Sequence, residues 1–189
     1  MKLMSKAVLF ATCFSLAISI AKAQEMIHAI SGTVITVHPK IQMTDIQTDD
    51  DSSGSFQWTK PGVSMAFDKN VSAETVTPEK FTSLQAHVIV YYYGVGVVRT
   101  VVALHDVGTG PFVKSLGRVV KFDRHAHLLI IQNGKGGEET FNIDAKTVAD
   151  TETGVATNFK FDYNKGIQVH VLATQSNGAQ TALLIAPVI

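Results

Sequence analysis

LGRVVKFDRHAHLLIIQNGKGGEETFNI, residues Leu116–Ile143, lies without a gap on SGTVITVHPKIQMTDIQTDDDSSGSFQW, residues Ser31–Trp58, when the sequence is shifted by 85. Gly32 meets Gly117, Val34 meets Val119, Ile46-Gln47 meets Ile131-Gln132, and Phe56 meets Phe141. Each match alone is weak, but their order is kept. At a shift of 81, Ala86-His87-Val88-Ile89-Val90 lies on Ile167-Gln168-Val169-His170-Val171, and Thr100 meets Thr181 before an apolar run. Self-similarity at a fixed spacing marks a repeated structural unit, so a tandem duplication is expected.

Both copies read as strands. Thr33–Val37, Ala86–Val90 and Ile167–Val171 are short and rich in β-branched residues, the composition of a pleated, partly buried segment. Turn signals lie between such runs: His38-Pro39-Lys40, Asp51-Ser52-Ser53-Gly54, Gly94-Val95-Gly96, Asn133–Gly137, Asn164-Lys165-Gly166 and Ser176-Asn177-Gly178. Glycine and asparagine supply the positive φ of tight hairpins. The best helix candidate is Thr77–Phe81, where Thr77 can cap and Pro78 suits the first helical position. At most two turns are expected there.

The expected fold is therefore all-β, two small antiparallel barrels in tandem. One copy of roughly 75 residues is a marginal core, so the two should pack together. The expected organisation is a signal peptide at 1–23, a first repeat at 24–107, a linker at 108–115 and a second repeat at 116–189. Gly108, Gly110 and Pro111 break the pattern in the linker.

The N-terminus carries an export pattern. Lys2 and Lys6 precede an apolar run, Ala7–Ile20, and Ala21-Lys22-Ala23 is a small-x-small cleavage signature before Gln24. This run of fourteen residues falls short of the roughly 20 that span a bilayer. Cys13 lies inside that run with no small residue immediately before it, so a lipid anchor is not expected. The expected location is the periplasm or the extracellular medium.

After cleavage, 13 Lys and Arg face 16 Asp and Glu, and no cysteine remains. That balance excludes the clustered cations that neutralise nucleic-acid phosphates and a polybasic membrane patch. Disulfides, thiolate nucleophiles and Cys-ligated metals are excluded as well.

GRVVKFDRHAHLLIIQNGKGGEETFNIDAKTV, followed later by NKGIQVHVLATQSNGAQTALLI, resembles a bacterial exported domain-of-unknown-function family of small OB-like barrels. That family's pattern is a Gly-x-Val strand, an apolar strand, a Gly-containing hairpin, a Val-x-Val strand and a Gly-turn hairpin. The resemblance covers Gly117–Ile185 well and Gly32–Leu104 weakly. The Gly-Asp that precedes Val-x-Val in the family is Gly166-Ile167 here. The resemblance implies fold and compartment and brings no catalytic residues.

Four candidate sites follow from residue type. His125 and His127, read as the mouth of a strand, would share a face and could chelate zinc or copper with His170 or Asp123. The first copy has Lys40 and Gln42 at those two places, so the fold does not need the imidazoles, and no metal site is expected. Asp49, Asp51 and Ser53 with Gly54 start like a calcium loop, but position twelve is Lys60 rather than glutamate. Asn133–Gly137 lacks the Gly-Lys-Ser/Thr of a phosphate loop and is expected to be a hairpin turn. Trp58, Tyr91 and Tyr93 are the candidate ligand platform, because OB-like barrels bind glycans on aromatic strand faces.

Gly-x-Ser-x-Gly and His-Glu-x-x-His are both absent. The expectation is thus a non-catalytic binding or scaffolding protein of the envelope, without a cofactor, whose partner is an envelope protein or glycan. It makes no contact with nucleic acid and does not insert into the membrane after cleavage. The alternative is a periplasmic metal-binding protein using His125, His127 and His170.

Overall fold

The computed structural model describes residues 25–50, 53–59, 69–96 and 99–188. The expected signal peptide lies outside these residues, as do Asp51 and Lys60 of the calcium-like loop. Among the described residues no helix is long and apolar enough to cross a membrane.

The chain is all-β, in two sheets, as its periodicity predicts. The first sheet uses β1 (His28–His38), β2 (Met43–Thr48), β3 (Ser53–Trp58), β4 (His87–Tyr93) and β5 (Thr100–Gly108). It runs in the order β1-β2-β3-β5-β4 and returns from β4 to β1. The second uses β6 (Phe112–Asp123), β7 (Leu128–Asn133), β8 (Glu138–Asn142), β9 (Val148–Thr151), β10 (Gly154–Ala156), β11 (Gln168–Ser176) and β12 (Ala179–Pro187). Its order is β10-β9-β12-β11-β6-β7-β8, and β12 also meets β8.

The registers of the two sheets coincide at the spacings seen in the sequence. Gly32↔Thr48 and Val34↔Ile46 in β1–β2 become Gly117↔Asn133 and Val119↔Ile131 in β6–β7, with a bulge after Val34 and after Val119. Thr44↔Phe56 becomes Leu129↔Phe141. At the offset of 81, Tyr91↔Ala103 becomes Leu172↔Leu184, with a bulge at the same place. The antiparallel expectation needs one correction: β3 meets β5 in parallel at Gln57↔Thr100, and β8 meets β12 in parallel at Asn142↔Thr181. A strand that joins its ring after a crossover arrives in the direction the connection dictates.

The cores follow the same correspondence. Val34, Ile46, Phe56, Val88, Val90 and Leu104 fill the first, and Val119, Ile131, Phe141, Val169, Val171 and Ile185 fill the second. One pair differs in chemistry. Thr44 is buried and accepts the indole N–H of Trp58 at 2.8 Å. The second core has Leu129 and Ile143 at those positions, both apolar and buried.

A third apolar cluster joins the sheets. Tyr91 and Ala103 enter it from the first, Leu172 and Leu184 from the second, and Ile27, Ile89 and Val148 complete it. Equivalent strand faces therefore meet at the seam, and the two sheets share one buried layer. Residues 109–111 alone separate β5 from β6, so 112–115 of the expected linker are strand paired to β11.

The connections that lead into β4 and β11 differ. In the first half this connection holds a helix, α1 (Lys69–Ala73), and one 3-10 turn at Pro78–Lys80. In the second it holds the β9–β10 hairpin. The five residues of α1 have no amphipathic period to read, and buried Val71 anchors them to the seam.

One turn position with positive φ in both halves carries a different residue in each. The N–H groups of Gln85 and Gly166 donate to the carbonyls of Val34 and Val119, each at 2.8 Å, and both residues have positive φ, 60° and 90°. Glycine occupies this region without a steric cost, whereas a residue with a Cβ loses about 1–2 kcal/mol. Gln85→Gly is expected to raise the unfolding free energy by about 1 kcal/mol, and Gly166→Gln to lower it comparably. Urea denaturation of both variants checks this, and a destabilised Gln85→Gly would count against it.

Candidate functional site

His125 and His127 are not on a strand. Residues 124–127 form the β6–β7 turn, with His127 at φ 56°, as Gln42 stands at φ 55° in the β1–β2 turn. Asp123 makes that turn: its Oδ1 accepts the N–H groups of His125 at 3.1 Å and Ala126 at 2.8 Å. Those backbone donors and the Lys121 ammonium at 2.9 Å hold its carboxyl down at about 2. The His127 ring lies flat on Phe159, with centroids 4.2 Å apart and planes at 15°. The shared-face expectation fails because the bulged strand ends at Asp123 and the chain turns there. Among the described residues no three His, Cys, Asp or Glu side chains cluster as a metal would require. His170 lies elsewhere, on β11.

Asn133–Gly137 is the β7–β8 turn, with Asn133 Oδ1 accepting from Lys135 N and Gly137 N, each at 3.0 Å. Asp49, read as the first ligand of a calcium-like loop, is engaged from three sides. It accepts from His87 Nε2 at 2.8 Å and Lys114 Nζ at 2.7 Å, with Ser31 also bonded to it.

The three aromatics of the expected platform do not share a surface. Trp58 and Tyr91 are buried in different clusters, and Tyr93 packs half-buried against the seam. Burial raises the Tyr91 phenol well above its ordinary range. Tyr91 lines a pocket at one end of the seam, and Tyr92, on the opposite face of β4, lines the cavity that also holds Arg99.

That cavity is a cleft of about 440 Å³ at the seam, with β1 and β4 on one side and β9, β11 and β12 on the other. Two acid–imidazole pairs hold its walls. His28 Nδ1 lies 2.9 Å from Asp150 Oδ1, joining β1 to β9, and Asp150 is 4 % exposed. Asp49 and His87 form the second pair, extended across the seam to Lys114 on β6. The His87 ring stacks on Phe112, with centroids 4.7 Å apart. Beside the pairs stands Arg99, its guanidinium carbon 5.4 Å from the Phe56 ring and 5.7 Å from Tyr92. Its Nε donates to Gly96 O at 3.1 Å. His170 completes the wall.

Neither acid–imidazole pair is local in sequence. His28 and Asp150 are 122 residues apart, His87 and Asp49 are 38 apart. No spacing rule could have found them. The one readable sign was the loss of apolar character at His170, which stands where Ile89 stands in the first half.

The two acids carry opposite pH signatures. Burial is the largest influence on Asp49 and pushes its carboxyl up, but the His87, Lys114 and Ser31 bonds outweigh it and hold it below 3.8. Its contribution is present above 3.8 and is lost as the pH falls through the depressed value. For Asp150 burial wins over His28, and its carboxyl is raised. The folded state then binds the proton more readily than the unfolded chain, so Asp150 lowers stability as the pH rises from 3.8 through the raised value. Asp49→Ala is expected to cost about 1–3 kcal/mol at pH 7 by stranding His87 and Lys114, with a smaller cost under acid. Asp150→Asn should stay within about 1 kcal/mol of the parent. Urea titrations at neutral and acid pH measure both, and equal losses in the two variants would refute the assignment.

Chemically, the cleft offers a guanidinium, an imidazole, a phenol and carboxylate acceptors around an opening between two joined sheets. Compared with known proteins, the chain matches no family model and no curated protein sequence.

Proposed function

We propose that this chain is an exported, non-catalytic binding module of the periplasm or cell envelope, built as two OB-like barrels in tandem that grip a ligand or partner at their seam. An OB barrel is a five-stranded, partly open Greek-key ring. The orders β1-β2-β3-β5-β4 and β6-β7-β8-β12-β11, with the repeated registers, support that description and a duplicated origin.

One observation carries the binding reading over catalysis. The two half-buried or buried carboxylates of the cleft are each held by an imidazole, Asp49 by His87 and Asp150 by His28, and each pair spans or flanks the seam. His87 has both ring nitrogens engaged, by Asp49 at 2.8 Å and Thr33 at 3.4 Å, so its protons are held within the joint. What is left facing the opening is suited to recognition.

The test uses the chain from Gln24 to Ile189 as bait on a native envelope fraction, beside an Arg99→Ala variant. A component retained by the parent and released by the variant supports the reading. Equal retention by both, or retention of nothing, removes it. Mass spectrometry of the protein from its host tests export: an N-terminus at Gln24 is expected, and a chain keeping Met1 would overturn it.

A further inference from the structure

We propose that the seam cleft binds a saccharide bearing a carboxylate, with Arg99 receiving the carboxylate and Tyr92 and Val95 lining the ring. This deepens the binding reading above and rests on it.

The cleft leaves two polar side chains unmatched. Among the described residues Arg99 has no carboxylate partner, and the His170 side chain makes no hydrogen bond or ion pair. The nearby acids are already matched: Asp49 to His87 and Lys114, Asp150 to His28. The unmatched groups are thus a permanently charged donor, the guanidinium, and an imidazole that can donate from one ring nitrogen. The two ring contacts hold the guanidinium plane, and its Nη atoms remain to make the fork that fits a carboxylate.

The acids of the cleft disfavour a bare anion. Asp50 and Asp150 line the same cleft, and a phosphate or a dicarboxylate would meet them. A ligand with a single negative end and hydroxyl donors elsewhere suits both sets, since a carboxylate offers about four acceptor sites. Val95, 88 % exposed between Gly94 and Gly96, and half-buried Tyr92 supply an apolar wall. Such a wall suits the C–H face of a sugar ring. The volume falls in the about 300–1,000 Å³ range of small-molecule sites.

The two ends of the seam differ in chemistry. The other end of the seam is lined by Ile89 and Tyr91, with His105 at 2.8 Å from the Glu74 carbonyl oxygen and Lys146 paired to Glu74 at 3.0 Å. There the position equivalent to His170 is apolar Ile89, buried in the seam cluster. The strand therefore does not require an imidazole at this position, and His170 distinguishes the polar end from its counterpart.

Calorimetric titration of the chain from Gln24 to Ile189 tests this with four probes: N-acetylmuramic acid, N-acetylglucosamine, lactate and inorganic phosphate. N-acetylmuramic acid, which joins a sugar ring to a carboxylate, is expected to bind at least about tenfold more tightly than each of the other three. Arg99→Ala should bring it down to the level of N-acetylglucosamine and leave the latter unchanged. His170→Ile, which copies the first half, should weaken it by less and keep the melting temperature. If Arg99→Ala melts early, Arg99→Lys retains the charge without the fork and should give an intermediate loss. Equal binding of the two sugars, phosphate as the tightest probe, no binding of any probe, or indifference to both the Arg99 and His170 changes would overturn the proposal. Loss of the saccharide result while envelope capture stays sensitive to Arg99→Ala would leave the binding module standing with a different ligand.

Discussion

Phe56→Ala and Phe141→Ala should each lower the unfolding free energy by about 3–5 kcal/mol. Both rings are 0 % exposed, and each closes the end of a ring core from an equivalent register position. Removing either leaves a cavity that neighbouring β-branched side chains, stiff at χ1, cannot fill. The seam makes the outcome more specific. Tyr91, Leu172 and Leu184 lie in one cluster between the sheets, so a weakened half should take the other with it. Fluorescence of Trp58, in the first half, should then report a loss caused in the second by Phe141→Ala. Denaturation followed by tryptophan emission and by circular dichroism should give coincident transitions. A Phe141→Ala protein whose Trp58 transition is unmoved would show that the halves unfold separately.

Gly32→Ala and Gly117→Ala are expected to cost about 3 kcal/mol each, at the upper end of overpacking losses. A Cβ on Gly117 would come within 2.6 Å of the Gln132 carbonyl oxygen and 3.0 Å of Ile131 Cδ1. On Gly32 it would press on the Gln47 carbonyl oxygen and come within 2.8 Å of Ile46 Cγ2. Because the obstacle is paired backbone rather than the end of a flexible side chain, relief requires moving a strand. The change should appear as a lower urea midpoint with an unaltered slope. Losses below about 0.5 kcal/mol, the ordinary surface range, would mean that the close approach of the strands is not needed.

These glycines show how much was legible in the sequence. A strand with period-two apolar residues buries one face, and a slip by one residue would turn that face outward. Val34, Ile46 and Phe56 therefore fix their register, and so do Val119, Ile131 and Phe141. The turns were legible for the same local reason: Asn133 and Gly136 close a hairpin with their own side chain and positive φ. The registers that match at offsets of 85 and 81 were legible because they are made of such local choices.

The site was not legible in this way. Trp58 looked like a platform because an indole is both apolar and polar. Only packing shows that Thr44 already takes its N–H inside the core. Tyr91, Tyr92 and Tyr93 are consecutive and of one type, and the seam decided that Tyr91 and Tyr93 turn inward to it while Tyr92 reaches the cleft. His125 and His127 drew attention because they are close in sequence. The pairs that fasten the sheets, Asp49 with His87 and Lys114, and His28 with Asp150, are far apart in it.

Alternation, β-branching and turn chemistry act over a few residues, so the sequence by itself determined the strands, the turns between them and the correspondence of register between the two sheets. The docking of the two units, the acids buried between them and the cleft they leave arise from contacts across the whole chain. No local preference encodes such contacts, and the tertiary structure alone decided them.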